Sequence, residues 1–425
     1  MRHYLFAFLC VLSCALARAQ SVPATVNWPM YHLNPQHTGF NSSETTVNPA
    51  NVKFLEKKWE GLLRAEVDFS SPAIVGQSAF IGDTDGNLYV FNVSGCGSDV
   101  CNPLWTGKAG GEIFSSPAVA NGFVYIGSND HHLYVFKAAG CGQTTCQPVW
   151  RGNTASGILE SSPIIAGNTV FVGGFDGKLY AFNAAGCGKI SCSPLWTGPT
   201  GGPVTSSPGV SNGVVYIGSN DQSLYAFRAS GCGRTTCKPL WAGPVGAGIF
   251  ESSPAISNGV VYIGAFDSKV HAFNASGCGA ATCSELWSGV LEDAFTDSTP
   301  AVANGELFVG GGDGLLYAFP AAGCGESTCQ PDWIGLGDNF VGTLLGGPVV
   351  ANGVVYVGKN ASEVLAYAAA GCGHFTCSPL WSTPTEDPIV SSSPAIVNGT
   401  LFIGTNNSLD GQFPGRLSVY MLSNQ

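Results

Sequence analysis

Residues 186–196, GCGKISCSPLW, set two cysteines five positions apart ahead of a proline and a tryptophan. Seven such pairs occur: Cys96/Cys101, Cys141/Cys146, Cys187/Cys192, Cys232/Cys237, Cys278/Cys283, Cys324/Cys329 and Cys372/Cys377. Paired thiols can hold metal, exchange electrons or close a loop. Zinc needs about four ligands in one tetrahedron, and pairs on successive repeats are too far apart to pool theirs. Haem attachment needs Cys-x-x-Cys-His, whereas the second cysteine here is followed by Asn, Gln, Ser, Lys, Ser, Gln and Ser. Thioredoxin-like exchange uses Cys-x-x-Cys at a helix start, a different spacing and setting. What remains is a clip across the neck of a short loop, and seven structural disulfides are expected, with no metal site.

A second set of chemistry-bearing residues stands three positions before a recurring proline: Phe69, Phe114, Glu160, Thr205, Glu251, Asp297, Leu345 and Ser391. Glu160, Glu251 and Asp297 could bind a cation or a basic or polyol ligand, with Phe69 and Phe114 as an apolar wall opposite. The candidate ligand-binding set is thus Phe69, Phe114, Glu160, Thr205, Glu251 and Asp297; the bland alternative is that these side chains cap turns or face solvent. Ser211 lies in GVSNG, a Gly-x-Ser-x-Gly match. It falls where sister repeats read AVANG and AISNG, in a hairpin rather than a strand-to-helix elbow. His131 and His132 are adjacent in a turn, so their side chains diverge and do not form a metal pair.

These residues belong to a repeat. First cysteines recur every 45 to 48 residues, and eight opening prolines stand at 72, 117, 163, 208, 254, 300, 348 and 394. After each comes a short apolar strand, then a two-residue turn, Asn-Gly in six units and Gly76-Gln77 or Gly167-Asn168 in the others, matching types I′ and II′. A run such as VVYIG, a turn often holding Asp, a third strand such as KLYAF, the cysteine loop and a strand at the Trp complete each unit. Four strands in about 46 residues is the spacing of a propeller blade. Seven units end with Trp105, Trp150, Trp196, Trp241, Trp287, Trp333 and Trp381; the eighth has none, and Trp59 stands unclaimed before the first. The expected fold is therefore all-β: an eight-bladed β-propeller of four-stranded antiparallel blades, closed by an N-terminal strand that completes the last blade.

Blade seven departs from this frame with Gly346-Gly347 in place of two serines and GKNASEVLAY in place of an Asp turn. Blade eight carries an insertion, NNSLDGQFPG. Both departures read as slack near the closure seam or as marks of a binding face.

Compartment follows from the N-terminus. A basic head at Arg2, an apolar run from Tyr4 to Leu16 and the small residues Ala17-Arg18-Ala19 form an export signal over residues 1–19, with lipidation at Cys14 as an alternative to cleavage after Ala19. Residues 20–50 are read as a leader and 51–425 as the propeller. No later stretch is apolar for the 18 or more residues that a span requires. The chain holds 17 basic and 28 acidic residues, and losing Arg2 and Arg18 takes its formal charge from -11 to -13. That sign excludes nucleic acid and anionic membrane as partners. Only 11% of residues are charged, and 58 glycines and 25 prolines suit a turn-rich β protein. Sequons at Asn41, Asn92, Asn274, Asn360, Asn398 and Asn406 are near chance in so Asn- and Ser-rich a chain.

GGFDGKLYAFNAAGCGKISCSPLW resembles the pyrroloquinoline-quinone (PQQ) repeat, and WPMYHLNPQHTGFN with NPANVKFLEKKW is similar to the leader of quinoprotein-like propellers. The resemblance covers residues 28 to 422. It implies eight blades whose tryptophans pack between neighbours. It also implies a choice of functions, since the family holds quinone-dependent alcohol dehydrogenases, a periplasmic lipoprotein of outer-membrane assembly and exported proteins without known activity. The dehydrogenases place their quinone beside a disulfide of adjacent cysteines, and no Cys-Cys occurs here. Their calcium-binding Glu and Asn sit in long loops, which here are short. Asp297 alone matches the place of their catalytic Asp. The expectation is an exported, non-catalytic binding scaffold, periplasmic or extracellular and monomeric, needing no cofactor and binding a protein, glycan or small molecule. A PQQ- and calcium-dependent alcohol or sugar dehydrogenase and an envelope-assembly scaffold are the alternatives.

Overall fold

The computed structural model describes residues 27–292, 295–337, 342–385, 389, 391–405 and 415–423. The export signal, Cys14 and most of the blade-eight insertion lie outside them. Eight sheets surround one axis, each running outward from a first strand at the channel, Ala73–Val75 in blade 1 through Ala395–Val397 in blade 8, and in blade 7 the leader strand Phe40–Asn41 pairs in parallel inside Val349–Ala351. The second and third strands, such as Thr169–Gly174 and Lys178–Asn183, are buried on both faces because each blade lies between two others. Their apolar runs are therefore continuous rather than alternating. The hairpin asparagines Asn121, Asn212, Asn258, Asn304, Asn352 and Asn398 all adopt positive φ, as the type I′ turn requires.

Closure is as expected. The fourth strand of blade 8 is Leu55–Leu62, antiparallel to Arg416–Leu422, and Trp59 takes the place of the missing tryptophan. All seven cysteine pairs are disulfides with Cα atoms 5.6 to 5.7 Å apart: Cys96–Cys101, Cys141–Cys146, Cys187–Cys192, Cys232–Cys237, Cys278–Cys283, Cys324–Cys329 and Cys372–Cys377.

The clips do more than close their own loops, and in five blades they lay a short extra strand beside the four expected. Only the first cysteine stays outside. Cys232, Cys278 and Cys324 are exposed, whereas their partners Cys237, Cys283 and Cys329 are buried in the apolar cores between blades. Each second cysteine lies along the outer strand of the preceding blade. Cys101 pairs in parallel with Gly61 of blade 8, Cys146 with Gly107 of blade 1, Cys192 with Gly152 of blade 2, Cys329 with Gly289 of blade 5 and Cys377 with Gly335 of blade 6, adding a short fifth strand to those sheets. Blades 3 and 4 keep four strands because the contact there is a single bridge at the residue before the cysteine, Thr197 to Thr236 and Ala242 to Thr282. Even so, Cys237 N–H donates to the Thr197 carbonyl at 2.8 Å and Cys283 N–H to the Ala242 carbonyl at 2.9 Å. The clip thus covers a sheet edge that would otherwise offer unpaired amides.

The glycine before each first cysteine lies on the preceding tryptophan, as Gly186 does on Trp150, where a Cβ would come within 3.0 Å. Blade 8 has no cysteine loop to lay on blade 7. There Val52–Phe54 and Leu55 take over, and Trp381 Nε1 donates to the Leu55 carbonyl at 3.2 Å.

The paired hydroxyl residues before the proline, Ser-Ser in six blades and Ser298-Thr299 in blade 6, build a collar around the channel. The first accepts from the second strand of its own blade, as Ser161 Oγ does from Gly173 N–H at 2.8 Å. The second links blades. The N–H groups of Ser71, Ser116, Ser162, Ser207 and Ser253 each donate to the corresponding hydroxyl of the next blade at 2.8 to 2.9 Å, Gly347 donates to Ser393 and Ser393 to Ser71 at 2.8 Å, and the series is interrupted only between blades 6 and 7, where Gly347 has no hydroxyl. Hydrogen bonds to groups that water cannot reach are costly to lose, which is why this position is hydroxylated in seven blades.

Candidate channel-mouth site

The leader does not trail outside the ring; it plugs the channel. Trp28 bridges Ile74 of blade 1, and the carbonyls of Pro29, Pro35, Gln36, Thr38 and Gly39 accept from Val119, Val210, Ile256, Val302 and Val350 of blades 2, 4, 5, 6 and 7. Asn41 Nδ2 reaches the Ile396 carbonyl of blade 8 at 2.8 Å. The plug explains Gly347, whereas Gly346 lies against the Ser391 and Ser392 carbonyls of blade 8. A Cβ on Gly347 would lie 2.0 Å from His32 Nε2, so the blade that receives this ring has no room for serine. Gly347 also lacks the hydroxyl that elsewhere in the collar receives the preceding blade's N–H, and Tyr31 of the leader adds a different bond at this step, its O–H donating to Thr299 Oγ1 at 3.0 Å beside the Ser253 N–H that the same oxygen accepts. His32 and His37 are fully enclosed, and burial lowers both to about 3, so both rings are neutral.

Above Tyr31 lies a cavity of about 20 Å³, lined by Tyr31, Phe69, Glu160, Ser162, Ser207, Glu251, Asp297, Leu345 and Ser391. Six of the eight residues singled out by their offset from the proline therefore converge. Phe114 stands behind Phe69, edge-on with centroids 5.9 Å apart. Thr205 is engaged elsewhere: its hydroxyl donates to the Phe250 carbonyl at 2.6 Å. Tyr31, Ser162 and Ser207 are lining residues that sequence did not suggest. The serines are framework residues whose second face meets the cavity, and Tyr31 belongs to the leader, which has no sister copy.

Three carboxyl groups share this small space. Glu251 N–H donates to Asp297 Oδ1 at 3.5 Å, and Ser391 Oγ donates to Glu251 Oε2 at 3.1 Å. Burial, then the Asp297 carboxylate, raises Glu160 to about 7. Burial likewise raises Asp297 to about 7, and it pushes Glu251 well above the usual range with Asp297 and Glu160 adding to it. The cluster therefore holds protons near neutrality and is poised to give them up to a cation.

The lining does not fit a quinone cofactor. PQQ is a fused tricyclic tricarboxylate, and ligands of that size occupy about 300 Å³ or more. The mouth offers about 20 Å³, faces an anion with three carboxyl groups, and has no lysine or arginine among the described lining residues. No group of three or more His, Cys, Asp or Glu side chains suited to a metal ion occurs among the described residues. Ser211 ends an innermost strand before the Asn212-Gly213 turn, so the Gly-x-Ser-x-Gly match is a hairpin. His132 turns back to the Asp130 carbonyl at 2.8 Å while His131 is exposed.

One blade carries a coupled departure that sequence reading passed over. In five blades a third-strand tyrosine joins the Asp of the preceding turn, as Tyr180 joins Asp176 at 2.7 Å and Tyr225 joins Asp221 at 2.6 Å. Blade 5 has His271 there, and Glu285 where sister repeats have proline. His271 Nδ1 meets Glu285 at 2.5 Å and Nε2 meets Asp267 at 3.1 Å. Burial works against the charged imidazole, but the two carboxylates outweigh it and raise His271, while His271 lowers both acids.

Comparison with known proteins agrees with this architecture. A family model described as outer membrane protein assembly factor BamB matches residues 98–276 and 193–411, in two overlapping passes. BamB from Moraxella catarrhalis is 16% identical with a TM-score of 0.63, covering 87% of this chain and 98% of that one. Quinohemoprotein alcohol dehydrogenase from Comamonas testosteroni is 13% identical with a TM-score of 0.70, covering 94% and 81%. The computationally designed Ika8 protein, at 13% identity and a TM-score of 0.63, covers 86% and 100%. At such identities these likenesses show the fold. No curated protein matches the sequence.

Proposed function

The chain belongs to the PQQ-repeat, BamB-type β-propeller family, and from that membership we propose that it is an exported, non-catalytic binding scaffold that meets its partner at the channel mouth. Its seven disulfides and its family point to an oxidising, extracytoplasmic compartment. Export through residues 1–19, to the periplasm or the medium, completes that reading. No helix among the described residues is long and apolar enough to cross a membrane.

One observation carries the choice of scaffold over dehydrogenase: the plugged channel keeps a mouth cavity of about 20 Å³ walled by carboxyl groups, the wrong size and sign for a quinone. The test combines native mass spectrometry of the purified protein with dye reduction after adding PQQ and calcium, over a panel of alcohols and sugars. A mass that fits the bridged chain alone, with no dye reduced, is the expected outcome. A quinone-bound mass with turnover would overturn the proposal. The family description also favours a narrower form, an envelope-assembly scaffold. Lipidation at Cys14 and a stable envelope partner in pull-down would select it.

A further inference from the structure

The eight blades are copies, so residues that vary together within the frame carry information. In each of blades 1 to 7 the turn between second and third strands contains one residue whose N–H donates to the loop entering that blade: Thr84, Asn129, Phe175, Asn220, Phe266, Gly312 and Asn360. The position is Phe only in blades 3 and 5, the two blades with Glu160 and Glu251 in the mouth. Blade 6, which carries Asp297, has Gly312 there. It supplies Phe295 from the entering loop, close enough that a Cβ on Gly312 would lie 2.8 Å from the ring. Among these seven blades, each one with a mouth carboxyl group therefore also raises a phenyl ring onto the same face. Nothing in the strand framework requires that pairing.

Phe250, Phe266 and Phe295 form a lip, and Phe175 is a separate exposed ring on blade 3. Phe175, Phe266 and Phe295 are 47%, 39% and 37% exposed, far above the core aromatics. Phe250, beside Glu251 in sequence, packs edge-on to Phe266 with centroids 4.6 Å apart, and Phe266 stacks on Phe295 at 4.8 Å. Exposed clustered phenylalanines on an otherwise polar face mark a contact surface. The chain itself joins the lip to the mouth, since Phe250 immediately precedes Glu251 and Phe295 stands two residues before Asp297, and the cavity lining holds no lysine or arginine.

Resting on the scaffold function proposed above, we infer that the lip and the mouth together dock a protein segment that presents a lysine between apolar residues, its ammonium entering the channel and its neighbours covering the phenyl rings. Size selects the head group. About 20 Å³ admits an ammonium but neither a guanidinium fork nor a pyranose ring. Charge selects its sign, and ring faces favour a cation further. The carboxyl groups lose protons as the ammonium arrives, so binding tightens as pH rises through neutrality.

The test is selection of random displayed peptides on the immobilised full-length mature protein at pH 7.5. Titration calorimetry follows with the best peptide, its lysine-to-norleucine and lysine-to-arginine forms, and the E251Q and F266A proteins. Selected peptides are expected to carry a lysine flanked by apolar residues. Norleucine, arginine and E251Q should each weaken binding at least tenfold, F266A several-fold, and lowering the pH to 5.5 several-fold. Melting curves certify that both variants are folded. Failure to select peptides, selection of peptides without lysine, or affinities indifferent to E251Q would overturn the inference. A sugar array that binds in a Phe266-dependent way would overturn it too. Quinone binding would instead defeat the scaffold reading, and it is measured separately without any peptide.

Discussion

Replacing Glu160 by glutamine should make the protein more stable, and only above a defined pH. A buried carboxyl group raised from its usual value near 4.5 to about 7 binds its proton more tightly in the folded than in the unfolded chain. Between those two values the folded state holds more protons, so stability falls as pH rises. The penalty is absent below about pH 4.5, grows through the window and is complete above about pH 7. At 1.36 kcal/mol per pH unit, it amounts to roughly 3 kcal/mol. Glutamine keeps the shape and discards the charge. Chemical denaturation of wild type and E160Q from pH 4 to 8.5 should give coincident stabilities at the acid end and a gap opening to roughly 2 to 3 kcal/mol at pH 8 in favour of the variant. Asp297 should titrate lower in E160Q, since one neighbouring charge has gone. Two curves that stay parallel across the range, or a variant less stable at pH 8, would refute a protonated cluster in the mouth, and with it the proton release expected when an ammonium docks.

His271 gives the opposite profile. Its raised value adds stability that is complete below about pH 6.5 and lost as pH climbs through that raised value, while the lowered Asp267 and Glu285 add stability lost as pH falls through theirs. H271F should cost roughly 3 kcal/mol near pH 6 and flatten both flanks, whereas H271Y with E285P, the sister-blade pattern, should restore stability and remove the pH dependence, as denaturant titrations will show. G347A drives a methyl group into His32 and should destabilise by about 1 to 3 kcal/mol; adding H32A should recover part of this, giving a coupling energy in a double-mutant cycle. Opening one clip with C187A and C192A should cost roughly 2 kcal/mol of loop-closure entropy, somewhat more if the strand laid on blade 2 also detaches, and thermal melting measures the loss.

Whatever recurs was legible in the sequence. Eight prolines, eight tryptophans counted with Trp59, and seven cysteine pairs fixed blade number, closure and clips, because a feature printed repeatedly separates itself from noise. The mouth was legible through the same device: a constant offset from the proline is a constant height in the channel, and the cavity collects Phe69, Glu160, Glu251, Asp297, Leu345 and Ser391. Contacts between repeats were not legible. That Cys192 pairs with Gly152 of blade 2 and Cys329 with Gly289 of blade 5, that Ser162 donates to Ser207, and that His271 and Glu285 changed together all depend on which strand lies beside which. The leader was opaque for another reason. With no sister copy to compare, His32 gave no sign that it fills the space vacated at Gly347, so a glycine that looked like slack is a receptor for the plug.

The clips span five residues, whereas the ties from Trp381 to Leu55 and from Asn41 to Ile396 span 326 and 355. An emerging polypeptide can therefore oxidise its thiols one sector at a time while its two ends are still strangers. Redox status then says nothing about completeness: a molecule with every sulfur paired can remain an open arc. For this architecture, resistance to proteolysis near Trp59 and Trp381 is the measure of a finished molecule.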